Sequence, residues 1–167
     1  MVWMWTTGLA LVAMLLELHL SRFGIGLPLL ALTGFYCLYA QGWRHWACVF
    51  LPMASLYDLA CGRGMPFMVL VLALLPLLAL GWRSAGLPPS PWVQAIPGAV
   101  TGTIVVVGVG LLMGVADGDL VPGLLLRTVV AALAGAALLP LLIQGCDPLA
   151  RQFGFAVYGQ GFQEERG

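Results

Sequence analysis

What constrains this chain most is where its charges are missing. No Asp, Glu, Lys or Arg separates Arg22 from Arg44, Arg63 from Arg83, Arg83 from Asp117, or Arg127 from Asp147. The charges punctuate a series of apolar runs. A run of about 20 apolar residues crosses about 30 Å of hydrocarbon as a helix. Lipid offers nothing to an unpaired backbone group, so the spanning element for runs of this kind is an α-helix. That holds even for the β-branched stretch between Thr101 and Val109. Of 167 residues, 61% are hydrophobic and 8% charged. Soluble domains carry about 25% charged residues, so this chain has too little polar surface to stay dispersed in water. The reading is an all-α membrane protein of about six transmembrane helices with no sizeable soluble domain.

The spans are expected over residues 2–20, 25–40, 46–60, 66–82, 95–115 and 122–143. Trp3 and Trp5 stand as interfacial anchors. The third span is short and contains Pro52, so a kinked or re-entrant segment is one reading of it. Pro76 predicts a kink in the fourth. The Pro-rich stretch from Arg83 to Gln94 reads as a loop, and Asp117-Gly118-Asp119 as a turn. No internal repeat stands out. Asp147-Pro148 resembles a helix start, with a capping carboxylate and then proline at the first helical position. A short surface helix or a frayed tail would follow, so the chain divides into a transmembrane domain, 1–146, and a tail, 147–167. The N-terminus lacks a positive leader region, and Glu17 sits where a small-residue cleavage site would fall, so it reads as a retained first span.

Net charge is zero, with arginine as the sole basic residue besides the two histidines. This excludes a basic field for nucleic acid. Cys37, Cys48, Cys61 and Cys146 form no C-x-x-C and have no histidine at ligand spacing. They read as small apolar residues, with no cofactor or metal implied. G-x-S-x-G, H-E-x-x-H and phosphate-loop signatures are absent, and the spans assign His19 and His45 to opposite ends of the bilayer. With six spans, Arg44, Arg83, Arg151 and Arg166 share the side of the termini, against Arg22 and Arg63 on the other. The excess places both termini in the cytoplasm.

Three charges fall within spans: Glu17, Asp58 and Arg127. Counting from the turns puts all three at a similar shallow depth near the outer end, Arg127 about 7 Å in at 1.5 Å per residue. Pairing Arg127 with Asp58 or Glu17 would offset part of the cost of charge in lipid; snorkelling to the headgroups is the bland alternative. Gly98 with Gly102 and Gly110 with Gly114 form G-x-x-x-G, and Ala131 with Gly135 the looser version. Small residues at this spacing let helix backbones approach closely, inside one chain or against a partner.

The string Asp58-Leu59-x-x-Gly62 closes the third span. It comes after Leu27-Pro28 and the aromatic pair Phe35-Tyr36, and leads into a leucine-rich span. In these residues the chain resembles the rod shape-determining protein MreD family of bacteria. The resemblance implies a non-enzymatic scaffold of the cell-elongation and peptidoglycan-synthesis machinery in the inner membrane. It implies binding to MreC, a single-span partner, and a fold similar to the substrate-binding subunits of energy-coupling-factor transporters. Asp58 and Gly62 then have structural roles: the aspartate caps the following turn or pairs with Arg127, and the glycine lets the chain reverse. The runner-up is a small transporter or substrate-binding subunit with a pocket near Glu17, Asp58 and Arg127. A polar cavity of some hundreds of Å³ favours that reading; a closed apolar interior favours the scaffold.

Overall fold

The computed structural model describes residues 2–23, 26–63, 65–85, 90–117, 123–155 and 157–158. The expected Gly118-Asp119 turn, the loop centre at 86–89, the start of the sixth span at Pro122 and the end of the tail lie outside the described residues. Among these described residues seven helices occur in order: α1 Val2–Arg22, α2 Leu29–Gln41, α3 Trp43–Ala60, α4 Phe67–Leu72, α5 Leu75–Ser84, α6 Pro91–Asp117 and α7 Leu124–Gln152. Among them α1, α4 with α5, α6 and α7 are long and apolar enough to cross a membrane. The chain is therefore an all-helical protein of membrane-spanning type.

Successive segments run in opposite directions, as contacts at their ends show. The start of α2 lies against the end of α1, where the Leu30 amide donates to Glu17. The end of α2 lies against the start of α1, where Thr6 bonds Gln41. The His45 ring at the start of α3 lies tilted against Trp3 at the start of α1, with ring centroids 4.9 Å apart. Between α6 and α7, Gly98 faces Gly135, Gly102 faces Ala131 and Gly110 faces Leu124, an antiparallel register.

Helix α2 is the centre of the molecule. All residues from Leu30 to Ala40 are buried, and α1, α3, α5, α6 and α7 pack around it. A helix apolar on every side belongs in an interior. Gly34 makes this possible on one side, because a Cβ there would stand 3.2 Å from both the Phe50 and Trp46 rings. The helix has 13 residues, about 20 Å at 1.5 Å per residue, and begins later than the span expected from residue 25. Pro28 explains the delay. Its φ of −82° and ψ of 55°, with a Leu29 N–H to Leu27 C=O bond of 2.9 Å, form an inverse γ-turn.

The prolines act unequally. Pro76 has no N–H for the Leu72 carbonyl, and the expected irregularity falls between α4 and α5, where Ala73 and Leu74 form a turn that keeps right-handed helical angles, so the two make one helical stretch from Phe67 to Ser84. Pro52 leaves α3 continuous. Pro148 lies inside α7, which runs on to Gln152. The helix start expected at Asp147 is thus corrected: the boundary drawn at residue 147 falls within one helix. That helix ends where Gly154 adopts φ +70°, with Gly154 N–H bonded to Arg151 C=O and Phe155 N–H to Ala150 C=O, the Schellman pattern.

Candidate functional site

Glu17, Asp58, Arg63 and Arg127 gather at one end of the molecule, where Asp58 and Arg63 are bonded to each other. Asp58, 2% exposed, sits three residues before the C-cap Cys61. Gly62 has φ +70°, a conformation that costs any residue with a Cβ about 1–2 kcal/mol. Its N–H bonds Leu59 C=O and the Arg63 N–H bonds Asp58 C=O, both at 2.9 Å. This is again the Schellman motif. The string Asp58-Leu59-x-x-Gly62 is therefore a helix stop whose glycine is required by the backbone.

The Asp58 side chain turns the stop into a clasp. Its Oδ1 accepts from Arg63 Nη1 at 3.0 Å, and its Oδ2 accepts the Met68 amide at 2.7 Å. The second bond satisfies a free N–H in the first turn of α4. The expected pairing of Asp58 with Arg127 is corrected: Arg63, one residue past the turn, takes that place. Asp58 does act as a cap, although its target is the next helix rather than the turn.

Glu17 repeats the device. It is 4% exposed, and its Oε2 accepts the Leu30 amide at 2.7 Å. In both cases a carboxylate near the end of one helix takes an amide two residues past a proline (Pro28, Pro66) that opens the next. Both prolines form inverse γ-turns; Pro66 has φ −80° and ψ 62°, with Phe67 N–H to Met65 C=O at 2.9 Å. The α1–α2 and α3–α4 connections are thus a structural repeat. The proline-to-amide spacing is the sequence signal that could have revealed it; the carboxylates stand at unequal distances and hide it.

Arg127 lies one turn into α7 with an exposed side chain, and among the described residues no carboxylate lies within ion-pairing distance of it. It shares a cleft of about 590 Å³ with Glu17, Tyr57 and Arg63, walled by Val105, Val106 and Val109 of α6. Glu17 and Arg127 are therefore brought to one cleft without pairing, and Asp58 stands behind it.

The small residues are resolved as internal packing. A Cβ on Gly98 would collide with the Gly135 carbonyl, and one on Gly102 with the Ala131 carbonyl. Gly110 packs on Leu124, and Gly114 lies near the end of α6. The α6–α7 contact occupies the Gly98–Gly102 face, which is therefore not open to a partner.

At the opposite end, Arg83 Nη2 donates to the Leu38 and Tyr39 carbonyls at 3.3 and 3.4 Å. Asp147 Oδ1 accepts from Tyr36 Oη at 2.9 Å and from the Tyr158 amide at 3.0 Å, and the Tyr158 ring stacks on Tyr39 at 4.3 Å. Burial pushes the Tyr158 phenol above its ordinary range. The segment expected as a surface helix or frayed tail is, through Tyr158, tied to the core. Nothing in the sequence marks Arg83 or Asp147 for these roles, because each partner is distant along the chain.

Chain and site together define an all-helical membrane-type protein with a capped charge cluster beside a half-open cleft. No protein-family model, no curated protein and no solved structure matches the chain.

Proposed function

We propose that this chain is a non-enzymatic scaffold subunit of the MreD type. In this reading α1, α2 with its lead-in, α3, α4 with α5, α6 and α7 make six spans in a bacterial inner membrane, with both termini cytoplasmic. The subunit binds an MreC-like single-span protein within the cell-elongation machinery, and its fold is akin to the substrate-binding subunits of energy-coupling-factor transporters. The observation that carries the reading is the Asp58–Gly62 clasp. The string behind the family resemblance is a structural device joining two helices, a role that suits a scaffold subunit. Since α7 occupies the Gly98–Gly102 face, the partner docks on an outward surface of the bundle.

The cleft favours a second reading, a small transporter or substrate-binding subunit, because its volume suits a ligand. The scaffold remains the better account. Two of the polar groups lining it are already engaged within the chain, since Glu17 accepts a backbone amide and Arg63 is bonded to Asp58.

Co-expression with the MreC-like protein encoded nearest to it, then affinity capture in mild detergent, tests the proposal. The expected result is a stoichiometric complex that Asp58→Ala weakens. A chain that folds and inserts but captures no such partner, while retaining or transporting a water-soluble solute, would establish the second reading instead.

A further inference from the structure

Two carboxylates and two arginines meet at this end of the molecule, but they are unequally placed around the cleft. The two buried carboxylates at this end are satisfied internally: Glu17 by the Leu30 amide, Asp58 by the Met68 amide and Arg63. Glu17 is buried with one oxygen turned to that amide, whereas Arg127 stands exposed in the cleft with no carboxylate within ion-pairing distance among the described residues. Arg63 lines the same space and directs one nitrogen to Asp58. A guanidinium in this position calls for an anion, and Arg binds phosphate oxygens in a two-pronged fashion.

The walls narrow the choice of anion. Val105 and Val106 on α6 and Val130 on α7 are apolar. Val130 lies about 4.5 Å further along the helix than Arg127, at 1.5 Å per residue. Leu126 and Val130 are 68% and 51% exposed, so the cleft continues onto an apolar outer surface. A free inorganic anion would use the arginines and leave these walls wet.

We propose that the cleft between the start of α2 and helices α6 and α7 binds a phosphate-bearing membrane lipid, with the phosphate on Arg127 and Arg63 and an acyl chain along the valine wall. The proposal requires the helices to sit in a membrane but is independent of any protein partner.

Native mass spectrometry of the detergent-purified chain, incubated with phosphatidylglycerol or with diacylglycerol of the same chains, tests it. Phosphatidylglycerol is expected to remain bound and diacylglycerol to be lost. Arg127→Gln should lower retention about tenfold. Val106→Trp keeps the arginine but fills the cleft, and should do the same. Val109→Phe serves if the tryptophan variant unfolds. Leu141→Trp, on the exposed face of α7, should change nothing. Retention undiminished in Arg127→Gln, or in a folded cleft-filled variant, would overturn the proposal by showing only annular lipid. Full competition by glycerol phosphate at the lipid concentration would also overturn it, since the walls would then contribute nothing.

Discussion

Gly98→Ala gives the sharpest test of the packing between α6 and α7. The added methyl would lie 2.8 Å from the Gly135 carbonyl carbon and 2.9 Å from Leu139 Cβ, and closer still to the Gly135 oxygen. Carbon atoms in contact prefer about 3.5–4.0 Å. The nearest obstacle is backbone, so no side chain can swing away, and α6 and α7 must separate by roughly 1 Å. Overpacking of this kind costs about 1–3 kcal/mol, against which alanine returns about 0.5–1 kcal/mol of helix propensity. The net expectation is a loss of about 1–2 kcal/mol. Gly81→Ala and Gly145→Ala are the controls: both sites are helical, and a Cβ there meets nothing within 4 Å, so the propensity gain should appear alone and raise stability. Reversible unfolding in mixed micelles measures all three. A Gly98→Ala protein as stable as either control would refute the close approach of α6 and α7.

The clasp and the tail yield further expectations. Gly62→Ala should destabilise by about 1–2 kcal/mol through its backbone conformation alone, measured by the same unfolding assay, since a Cβ there meets no neighbour. Asp58→Ala should cost about 1–3 kcal/mol for the lost cap and the unpaired Arg63, whereas Asp58→Asn, which can still accept the Met68 amide, should cost less; equal losses would argue against the cap. Asp147→Ala should free the chain beyond Gly154, speeding limited proteolysis there while leaving the helices protected. Cys61 is exposed and Cys37 fully buried, so under the proposed orientation a membrane-impermeant maleimide should label Cys61 from outside intact cells and never Cys37. Labelling of Cys61 only after permeabilisation would reverse the orientation.

Depth is legible in the sequence, and azimuth is not. The charges divide the chain into its helical segments, and counting from them places Glu17, Asp58 and Arg127 at one end. Which way each residue points around its helix depends on neighbours chosen by packing. Arg127 accordingly points outward into the cleft, while Arg63, a turn residue by its sequence, reaches back to Asp58. The glycine pairs show the same limit. Their spacing foretells a close approach, but only the antiparallel register of α6 and α7 shows it to be internal. Asp147 misleads for a related reason. Aspartate before proline is a local start signal, but the aspartate is used by Tyr36, far away in sequence, and the helix passes through.

The two ends of α2 are completed by charged side chains of other helices, Glu17 at its first turn and Arg83 at its last. Unpaired backbone groups in lipid cost several kcal/mol each. A chain emerging in order meets Glu17 before α2 and Arg83 only after α3 and α4. The Leu38 carbonyl already accepts the Gly42 N–H at 3.2 Å, so Arg83 adds a charged donor to that end, and a truncation after α3 removes this reinforcement. The helix most enclosed in the finished molecule is thus reinforced by a side chain three helices further along the chain.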